Sequence, residues 1–181
     1  MEQFAYVKKV LITEQQIIDR CEEIGKQLSD MYKDASRPVL IVGILKGSVP
    51  FMAELIKHIT CDIEIDFIAA SSYSGTESMG DIKIVKDLDR SVKGLDIVLV
   101  EDIVDTGLTV QKLKSLLYAK EANDVKVVSL LNKPARRIVE IEPDITGFNI
   151  ENEFVIGFGL DFNQKYRNLP FIGVLKDEYY K

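Results

Sequence analysis

The chain has 181 residues, of which 46% are hydrophobic and 29% are charged, and its formal net charge is −6. This composition is typical of a soluble globular protein, and we expect one domain that spans residues 1–181. The acidic charge disfavours a general nucleic-acid or anionic-membrane surface. No apolar run approaches the about 20 residues of a membrane span and no apolar signal segment is found, so we expect a cytoplasmic protein.

The first elements in chain order alternate between helix and strand. Residues 13–16 fit a capping box, and the apolar spacing that follows predicts a helix with one buried stripe. The continuous apolar run 39–45 predicts a buried strand, and residues 63–70 predict another. A second helix is predicted between them, for which Ser48 is a candidate N-cap. Such alternation predicts an α/β fold with a parallel sheet covered on both faces. The predicted stripe of the first helix consists of Ile17, Cys21, Ile24, Leu28 and Met31.

Two loops follow these strands. Lys46 and Gly47 come directly after the first strand, where a lysine can meet an anion and a glycine allows close backbone approach. A loop lysine is more often simply solvated. Residues 71–81 are small and polar with two glycines, which is typical of a mobile loop or of a surface hairpin tip.

The stretch 97–109 carries the most chemical information. Its apolar start, 97–100, predicts a strand buried on both faces, and Glu101 and Asp102 follow where that strand should end. A short turn of small polar residues then leads into a helix. Ligands of open α/β sheets bind at the carboxyl ends of strands, and a helix N-terminus offers N–H groups to an anion. We therefore predict a ligand with a phosphate that the turn binds and with further groups that the two carboxylates bind. The alternative is that the turn residues only cap the helix and that the acidic pair is simply solvated.

Two later stretches end strands of their own. Residues 125–131 predict a strand, and Lys133 is the first charge after it, in a basic run that could equally be solvated. Residues 154–161 lead to Tyr166 and Arg167, and the aromatic Phe154 would by pattern alone be a core residue. The two cysteines, Cys21 and Cys61, have no metal-ligand spacing, and the only histidine leaves no Ser-His or Cys-His pair for nucleophilic catalysis.

Residues 101–109, Glu-Asp-Ile-Val-Asp-Thr-Gly-Leu-Thr, resemble the phosphoribosyl-pyrophosphate motif of type I phosphoribosyltransferases, in the form of the hypoxanthine-guanine branch. The resemblance covers nearly the whole chain. It implies the type I phosphoribosyltransferase fold: a mostly parallel central sheet flanked by helices, a small hood built from the terminal segments, and a flexible lid loop at 72–80. Further matches are Leu-Lys-Gly at 45–47, Ser-Tyr at 72–73, Lys133, Phe-Val-Ile-Gly-x-x-Leu-Asp at 154–161 and Tyr-Arg at 166–167.

The resemblance implies a role for each matching residue. The ribose 5-phosphate group would be bound by Glu101, Asp102, Asp105, Thr106, Gly107, Leu108 and Thr109, with Asp105 also the catalytic residue that accepts a proton from the base. Pyrophosphate would be bound by Lys46, Gly47, Ser72, Tyr73 and Arg167. The purine would be bound by Lys133, Phe154, Val155 and Asp161, and the cofactor Mg²⁺ by Glu101, Asp102 and Asp161. The Leu45–Lys46 peptide bond can be cis in the family, which the sequence leaves open, and Arg136 and Arg137 receive no role.

The implied reaction transfers the 5-phosphoribosyl group from phosphoribosyl pyrophosphate to N9 of a 6-oxopurine. Hypoxanthine or guanine would give IMP or GMP plus pyrophosphate in purine salvage, in a homodimer or homotetramer with no nucleic-acid or membrane partner. The preference among hypoxanthine, guanine and xanthine stays open. An orotate or adenine relative is less favoured, because the lysine and aromatic purine elements are present.

Two other functions compete with this one. A nucleic-acid-binding regulator on the same fold would need a basic face or an added DNA-binding region, which this acidic chain lacks. A phosphatase of the dehalogenase type would need two aspartates two positions apart after a strand, whereas Asp102 and Asp105 are three apart.

Overall fold

Six strands form the central sheet in the order β4-β3-β2-β5-β6-β7. The computed structural model of the chain describes residues 4–72 and 82–180. Neighbouring strands are parallel except β3 and β4, which form an antiparallel edge. The strands are β2 (Val39–Leu45), β3 (Ile63–Ser72), β4 (Ile82–Lys86), β5 (Asp96–Val104), β6 (Asp124–Asn132) and β7 (Ile145–Asn149).

Three α-helices cover the sheet: α1 (Glu14–Tyr32), α2 (Ser48–Leu55) and α3 (Leu108–Ala119). The predicted capping box is confirmed, because Gln16 N donates to Thr13 Oγ1 at 3.3 Å and Thr13 N donates to Gln16 Oε1 at 2.9 Å. The predicted stripe of α1 is buried except for Met31, which is 48% exposed in the last turn. Gly47 is the N-cap of α2, so Ser48 is its first residue rather than its cap.

Both faces of the sheet are buried, which explains the continuous apolar runs. Along β2, Ile41 packs into the cluster that contains the buried faces of α1 and α2, while its neighbours Leu40 and Val42 pack into the cluster that contains α3. Residues of β2 therefore alternate between two cores, which explains why both alternate sets of this strand are apolar.

A second, three-stranded sheet lies in the order β1-β9-β8 and is antiparallel throughout. Its strands are β1 (Val7–Ile12), β8 (Val155–Ile156) and β9 (Ile172–Leu175). It is the predicted hood, and it joins segments near both ends of the chain. The predicted lid loop lies outside the described residues, apart from the end of β3. Within 4–72 and 82–180, no helix is both long and apolar enough to cross a bilayer.

The acidic pair lies inside β5 rather than after it, which corrects the predicted strand end. Pairing with β6 continues from Glu101 opposite Ser129 to Val104 opposite Asn132, whereas pairing with β2 is recorded only as far as Val100. One side of β5 therefore loses its neighbour where the carboxylates begin. This opening at the carboxyl end of a parallel sheet is where ligands bind in such folds.

Candidate active site

Asp102 faces the loop that follows β2. A Cβ built on Gly47 would overlap Asp102 Oδ2, so only a glycine lets the two segments approach this closely. The Leu45–Lys46 peptide bond in this loop is cis, the geometry that the family resemblance allows. The sequence analysis assigned Gly47 to pyrophosphate binding. The structure shows that Gly47 also contacts Asp102.

Burial shifts the titration of both carboxylates in the pair. Burial raises the pKa of Glu101 well above its ordinary value, and the neighbouring Asp102 raises it further. Burial also raises the pKa of Asp102 to about 6, despite hydrogen bonds such as the one from Ile103 N at 2.9 Å. The positive charge of Arg167 lowers this pKa and Asp161 raises it, so both groups interact with Asp102. The site without ligands therefore disfavours two negative charges, and a cation or hydroxyl donors would relieve this cost.

The turn between β5 and α3 surrounds a small cavity. Gly107 is the N-cap of α3 and has φ +85°, a left-handed conformation that favours glycine. Gly107 has no side chain to cap this helix, and Leu108 N donates to Thr106 Oγ1 over a long 3.5 Å, so the N-terminus can still meet an anion. The cavity has a volume of about 80 Å³ and is lined by Glu101, Ile103, Val104, Asp105, Thr106, Gly107, Thr109 and Val110.

Among the described residues, one carboxylate oxygen of Asp105 has an ion-pair partner and the other has no hydrogen-bond partner. Its Oδ2 lies 3.3 Å from the guanidinium of the half-exposed Arg136. Its Oδ1 is buried and has no hydrogen-bond partner among the residues that the structure describes. A buried acceptor without a partner costs free energy, and a ligand that donates a hydrogen bond would recover it.

Lys133 follows β6 directly and is only 5% exposed. Its ammonium donates to the backbone oxygen of Glu153 at 2.8 Å, which brings the end of β6 to the hood. Burial lowers the pKa of Lys133, and the nearby Asp105 opposes this by favouring the charged form. The reading of Lys133 as a merely solvated charge is therefore wrong, because the side chain is buried beside Asp105.

The hood supplies an aromatic group next to this lysine. Phe154 is partly buried and stacks on Tyr180 with ring centroids 4.8 Å apart, and it meets Phe162 edge-on at 5.7 Å. Val155 is buried and pairs with Val174 in the hood sheet. Phe154 thus belongs to the aromatic cluster of the hood, where its ring is held by neighbours on two sides.

The segment 157–167 brings a second basic group to the acidic strand. Arg167 forms an ion pair with Asp161 at 2.7 Å and donates to the backbone oxygen of Gly159 at 2.6 Å. A Cβ on Gly159 would overlap the backbone oxygen of Gly47, so this segment lies directly against the loop after β2. Lys46 also contacts it, with Nζ 3.4 Å from Gln164 Oε1.

Comparison with known proteins identifies the class to which this arrangement belongs. The phosphoribosyl transferase domain model matches residues 11–163. The hypoxanthine-guanine phosphoribosyltransferase of Lactococcus lactis subsp. lactis (strain IL1403) is 55% identical over 175 residues, which cover 96% of this chain and 94% of the relative. This chain belongs to the phosphoribosyltransferase family, in its hypoxanthine-guanine branch.

Solved phosphoribosyltransferases have the same fold. A hypoxanthine phosphoribosyltransferase from Staphylococcus aureus matches with a TM-score of 0.94 at 44% identity, over 100% of this chain and 98% of that chain. A mutant hypoxanthine phosphoribosyltransferase from Trypanosoma cruzi, complexed with the product IMP, matches with a TM-score of 0.93 at 35% identity, over 98% of this chain and 96% of that chain.

The acidic pair of this phosphoribosyltransferase has the chemistry of a magnesium site. Within 4–72 and 82–180, no group of three or more metal-binding side chains converges. Mg²⁺ often takes only one or two protein carboxylates and completes its shell with water and substrate phosphate oxygens, so a full cage is not required. Glu101 and Asp102 are hard oxygen donors whose raised pKa values a cation would reverse. Asp161 is already paired with Arg167 and would have to share its carboxylate.

Most of the site residues predicted for the phosphoribosyltransferase lie at this end of the sheet. The acidic pair of β5, the turn from Asp105 to Thr109 and the loop after β2 meet here, with Lys133 on the side of the hood. The predicted pyrophosphate contact Tyr73 lies outside the described residues, and of Ser72 only the backbone is described.

Two residues at this site were missed by the sequence reasoning. Gly159 touches the loop at Gly47 through its backbone, and its only signal was a second glycine two residues after Gly157. Arg137 donates to the backbone oxygen of Asp105 at 2.6 Å, although it was left without a role. Its only signal was its position in a basic run after a strand.

Proposed function

We propose that this protein transfers the 5-phosphoribosyl group of phosphoribosyl pyrophosphate to N9 of hypoxanthine or guanine, with release of pyrophosphate. The observation that carries this proposal is Asp105, whose buried and unpartnered Oδ1 lies in the turn that leads into α3 while its charge favours the ammonium of Lys133. Asp105 thus links the cavity in front of α3 to the buried Lys133.

Each end of the substrate has a matching group. The N–H groups and hydroxyls of the turn from Asp105 to Thr109 would bind the 5-phosphate at the N-terminus of α3. Glu101 and Asp102 would accept hydrogen bonds from the ribose hydroxyls. Arg167 would contact pyrophosphate together with the loop residues Lys46 and Gly47, with Ser72 and Tyr73 as further contacts implied by the resemblance.

Mg²⁺ is proposed as the cofactor, held by Glu101 and Asp102 with Asp161 as a further ligand. When bound, it would neutralise charge on the pyrophosphate leaving group. The protein's own groups do the rest: they bind the two phosphate ends, orient the base, and accept a proton at Asp105 Oδ1 as the new C–N bond forms.

The purine is assigned to the side of the site where Lys133 meets the hood. The ammonium of Lys133 donates only, so it suits the 6-oxo group of hypoxanthine or guanine. Phe154 would cover one face of the base and Val155 would meet its edge with backbone groups, while Asp161 completes this side. The rings that hold Phe154 support this role, because a fixed aromatic face loses little entropy on binding.

A product assay tests the proposal. Phosphoribosyl pyrophosphate and Mg²⁺ are supplied with hypoxanthine, guanine, xanthine, adenine or orotate in turn, and nucleotide products are separated by chromatography. We expect IMP and GMP, loss of activity in excess chelator, and recovery with Mg²⁺. Full activity in excess chelator would overturn the metal assignment, and formation of only AMP or of no nucleotide would overturn the function.

The wider setting is proposed with the same function. We propose a single domain over 1–181 that acts in purine salvage and IMP biosynthesis in the cytoplasm, as a homodimer or homotetramer. Light scattering of the purified protein measures the assembly, and a monomer at working concentration would contradict it. The regulator hypothesis is not favoured, since the chain matches enzymes of this branch over nearly its whole length.

A further inference from the structure

Arg137 is an almost fully buried arginine behind the turn from Asp105 to Thr109, the proposed 5-phosphate site, which we call the phosphate turn. Its side chain is 10% exposed, and its guanidinium donates to the backbone oxygen of Asp105 at 2.6 Å. The same guanidinium donates to Asn132 Oδ1, and its Nε lies 3.4 Å from Glu142 Oε1. Asn132 in turn donates to Glu142 Oε2 at 3.1 Å. The three side chains form a closed network in which every member is bonded to the other two.

Arg137 and its chain neighbour Ile138 hold the direction of two peptide groups. Arg137 binds the carbonyl oxygen of Asp105, and the backbone N–H of Ile138 donates to the carbonyl oxygen of Thr106 at 3.1 Å. Across a trans peptide the C=O and N–H bonds point in opposite directions. Holding the two oxygens on the Arg137 side therefore turns the N–H groups of Thr106 and Gly107 away from it. Both residues line the small cavity in front of α3.

Side-chain packing supports the same turn from behind. A Cβ on Gly107 would lie 2.6 Å from Ile141 Cγ2, 2.9 Å from Val139 Cγ2 and 3.0 Å from Arg137 Cδ. The segment 137–141 thus fills the space behind Gly107. The turn cannot relax backwards without displacing this segment, because protein interiors are close-packed.

We propose that Arg137 is a positioning residue that holds the turn from Asp105 to Gly107 in its anion-binding shape. It acts through the protein backbone and does not touch the substrate. Through Asn132, the last residue of β6, it also joins the turn to the strand that ends next to Lys133. The inference rests on the proposed function, because the turn must bind a 5-phosphate for the position of its N–H groups to matter.

The test compares two ligands that differ only in the phosphate. Dissociation constants of IMP and inosine are measured by calorimetry for the wild type and for Arg137→Met, which keeps much of the volume but has no donors. We expect the preference for IMP over inosine to fall about tenfold, as for loss of a hydrogen bond from a charged group. Affinity for inorganic pyrophosphate should stay within about twofold, because its assigned contacts are Lys46, Gly47 and Arg167.

Arg20 provides a matched control. It donates from Nε to the backbone oxygen of Gly147 at 3.1 Å and from Nη2 to that of Thr146 at 2.7 Å, away from the site. Like Arg137→Met, Arg20→Met removes an arginine that donates to backbone oxygen. It should lower the melting temperature without changing the preference for IMP over inosine. This separates a specific effect on the phosphate from a general loss of stability.

Milder variants keep the test decisive if Arg137→Met does not fold. Arg137→Lys keeps the charge without the planar fork, and Glu142→Gln changes a side chain that is 63% exposed. Both should lower the IMP preference by a smaller factor, and an unchanged preference in both would overturn the inference. If the wild type prefers IMP and Arg137→Met keeps the full preference, the inference about Arg137 is overturned and the phosphate assignment stands. A wild type without any preference for IMP would overturn the phosphate assignment and the inference together.

Discussion

Gly47 and Asp102 are in such close contact that Gly47 has no room for a side chain: a Cβ there would overlap Asp102 Oδ2. The loop after β2 and the acidic strand therefore form one unit, in which the carboxylate is held against bare backbone. This arrangement makes the loop sensitive to the smallest possible substitution.

Gly47→Ala should lower kcat/KM at least about tenfold, since the Asp102 carboxylate must move by more than is tolerated in a positioned site. Steady-state kinetics with phosphoribosyl pyrophosphate as the varied substrate measures the loss. Val49→Ala is the control, because Val49 lies two residues further on and is exposed. Equal kinetics in the two variants would contradict the contact.

Asp102→Asn should stabilise the protein without ligands, in a pH-dependent way. The pKa of Asp102 is raised from 3.8 to about 6, so the folded protein holds this proton more tightly than the unfolded chain does. Ionisation then destabilises the fold, progressively from about pH 4 to pH 6 and fully above pH 6. Asn cannot ionise and avoids that cost, which is about 3 kcal/mol for a pKa raised from 3.8 to about 6.

The measurement is thermal melting of wild type and Asp102→Asn in chelator at pH 4.5 and pH 8. The variant should melt higher than wild type at pH 8, and at pH 4.5 the stabilisation should shrink to about a third of that. Its activity should fall, because a neutral amide is a poor partner for Mg²⁺. A melting difference that does not change with pH would show that ionisation of Asp102 does not destabilise the folded protein.

Asp105→Asn should lower kcat about 10²–10⁴-fold, the usual loss when a positioned general base is removed. Binding of phosphoribosyl pyrophosphate should change little, because the amide has a similar shape and the turn is held through the backbone oxygen of residue 105. Pre-steady-state rates and a separate binding titration distinguish the two effects. If kcat stays within a few-fold of wild type, Asp105 is a structural turn residue.

Lys133→Ala should raise KM for hypoxanthine and guanine and leave the affinity for phosphoribosyl pyrophosphate nearly unchanged. The native protein should not measurably use adenine, because its 6-amino group would face the ammonium donor to donor, a mismatch that can cost roughly 10⁴-fold. Lys126→Ala is the control, because Lys126 lies in β6 and forms partly exposed ion pairs with Asp124 and Asp144. Efficient use of adenine would refute the purine assignment and leave the phosphoribosyl site intact.

The sequence predicted the parts of the fold that depend on nearby residues. The buried stripe of α1, its capping box at Thr13 and the apolar run of β2 are all local patterns, and the structure confirms them. Met31 shared the spacing of the stripe but lies in the last turn of the helix and is exposed. The end of β5 was misplaced because its continuation depends on pairing with β6, which the apolar pattern of β5 does not contain.

In the candidate site, too, the features formed by nearby residues were predicted and those formed by distant residues were not. The phosphate turn was recognisable because its residues are consecutive in the chain. The partner of Lys133 was not, since it is the backbone oxygen of Glu153 and a carbonyl acceptor has no side-chain signature. Arg137 was also missed, because its target is the backbone oxygen of a residue 32 positions away.

The pairing of β1 with β9 joins Val7 to Leu175, so the hood needs both ends of the described chain. As the polypeptide leaves the ribosome, the strands around the phosphate turn are complete once β6 has emerged, whereas β9 arrives more than 35 residues later. Contacts this distant in sequence are slow to form. We therefore expect a nascent chain to form the turn from Asp105 to Thr109 well before the hood, so the proposed purine-binding side of the site forms last.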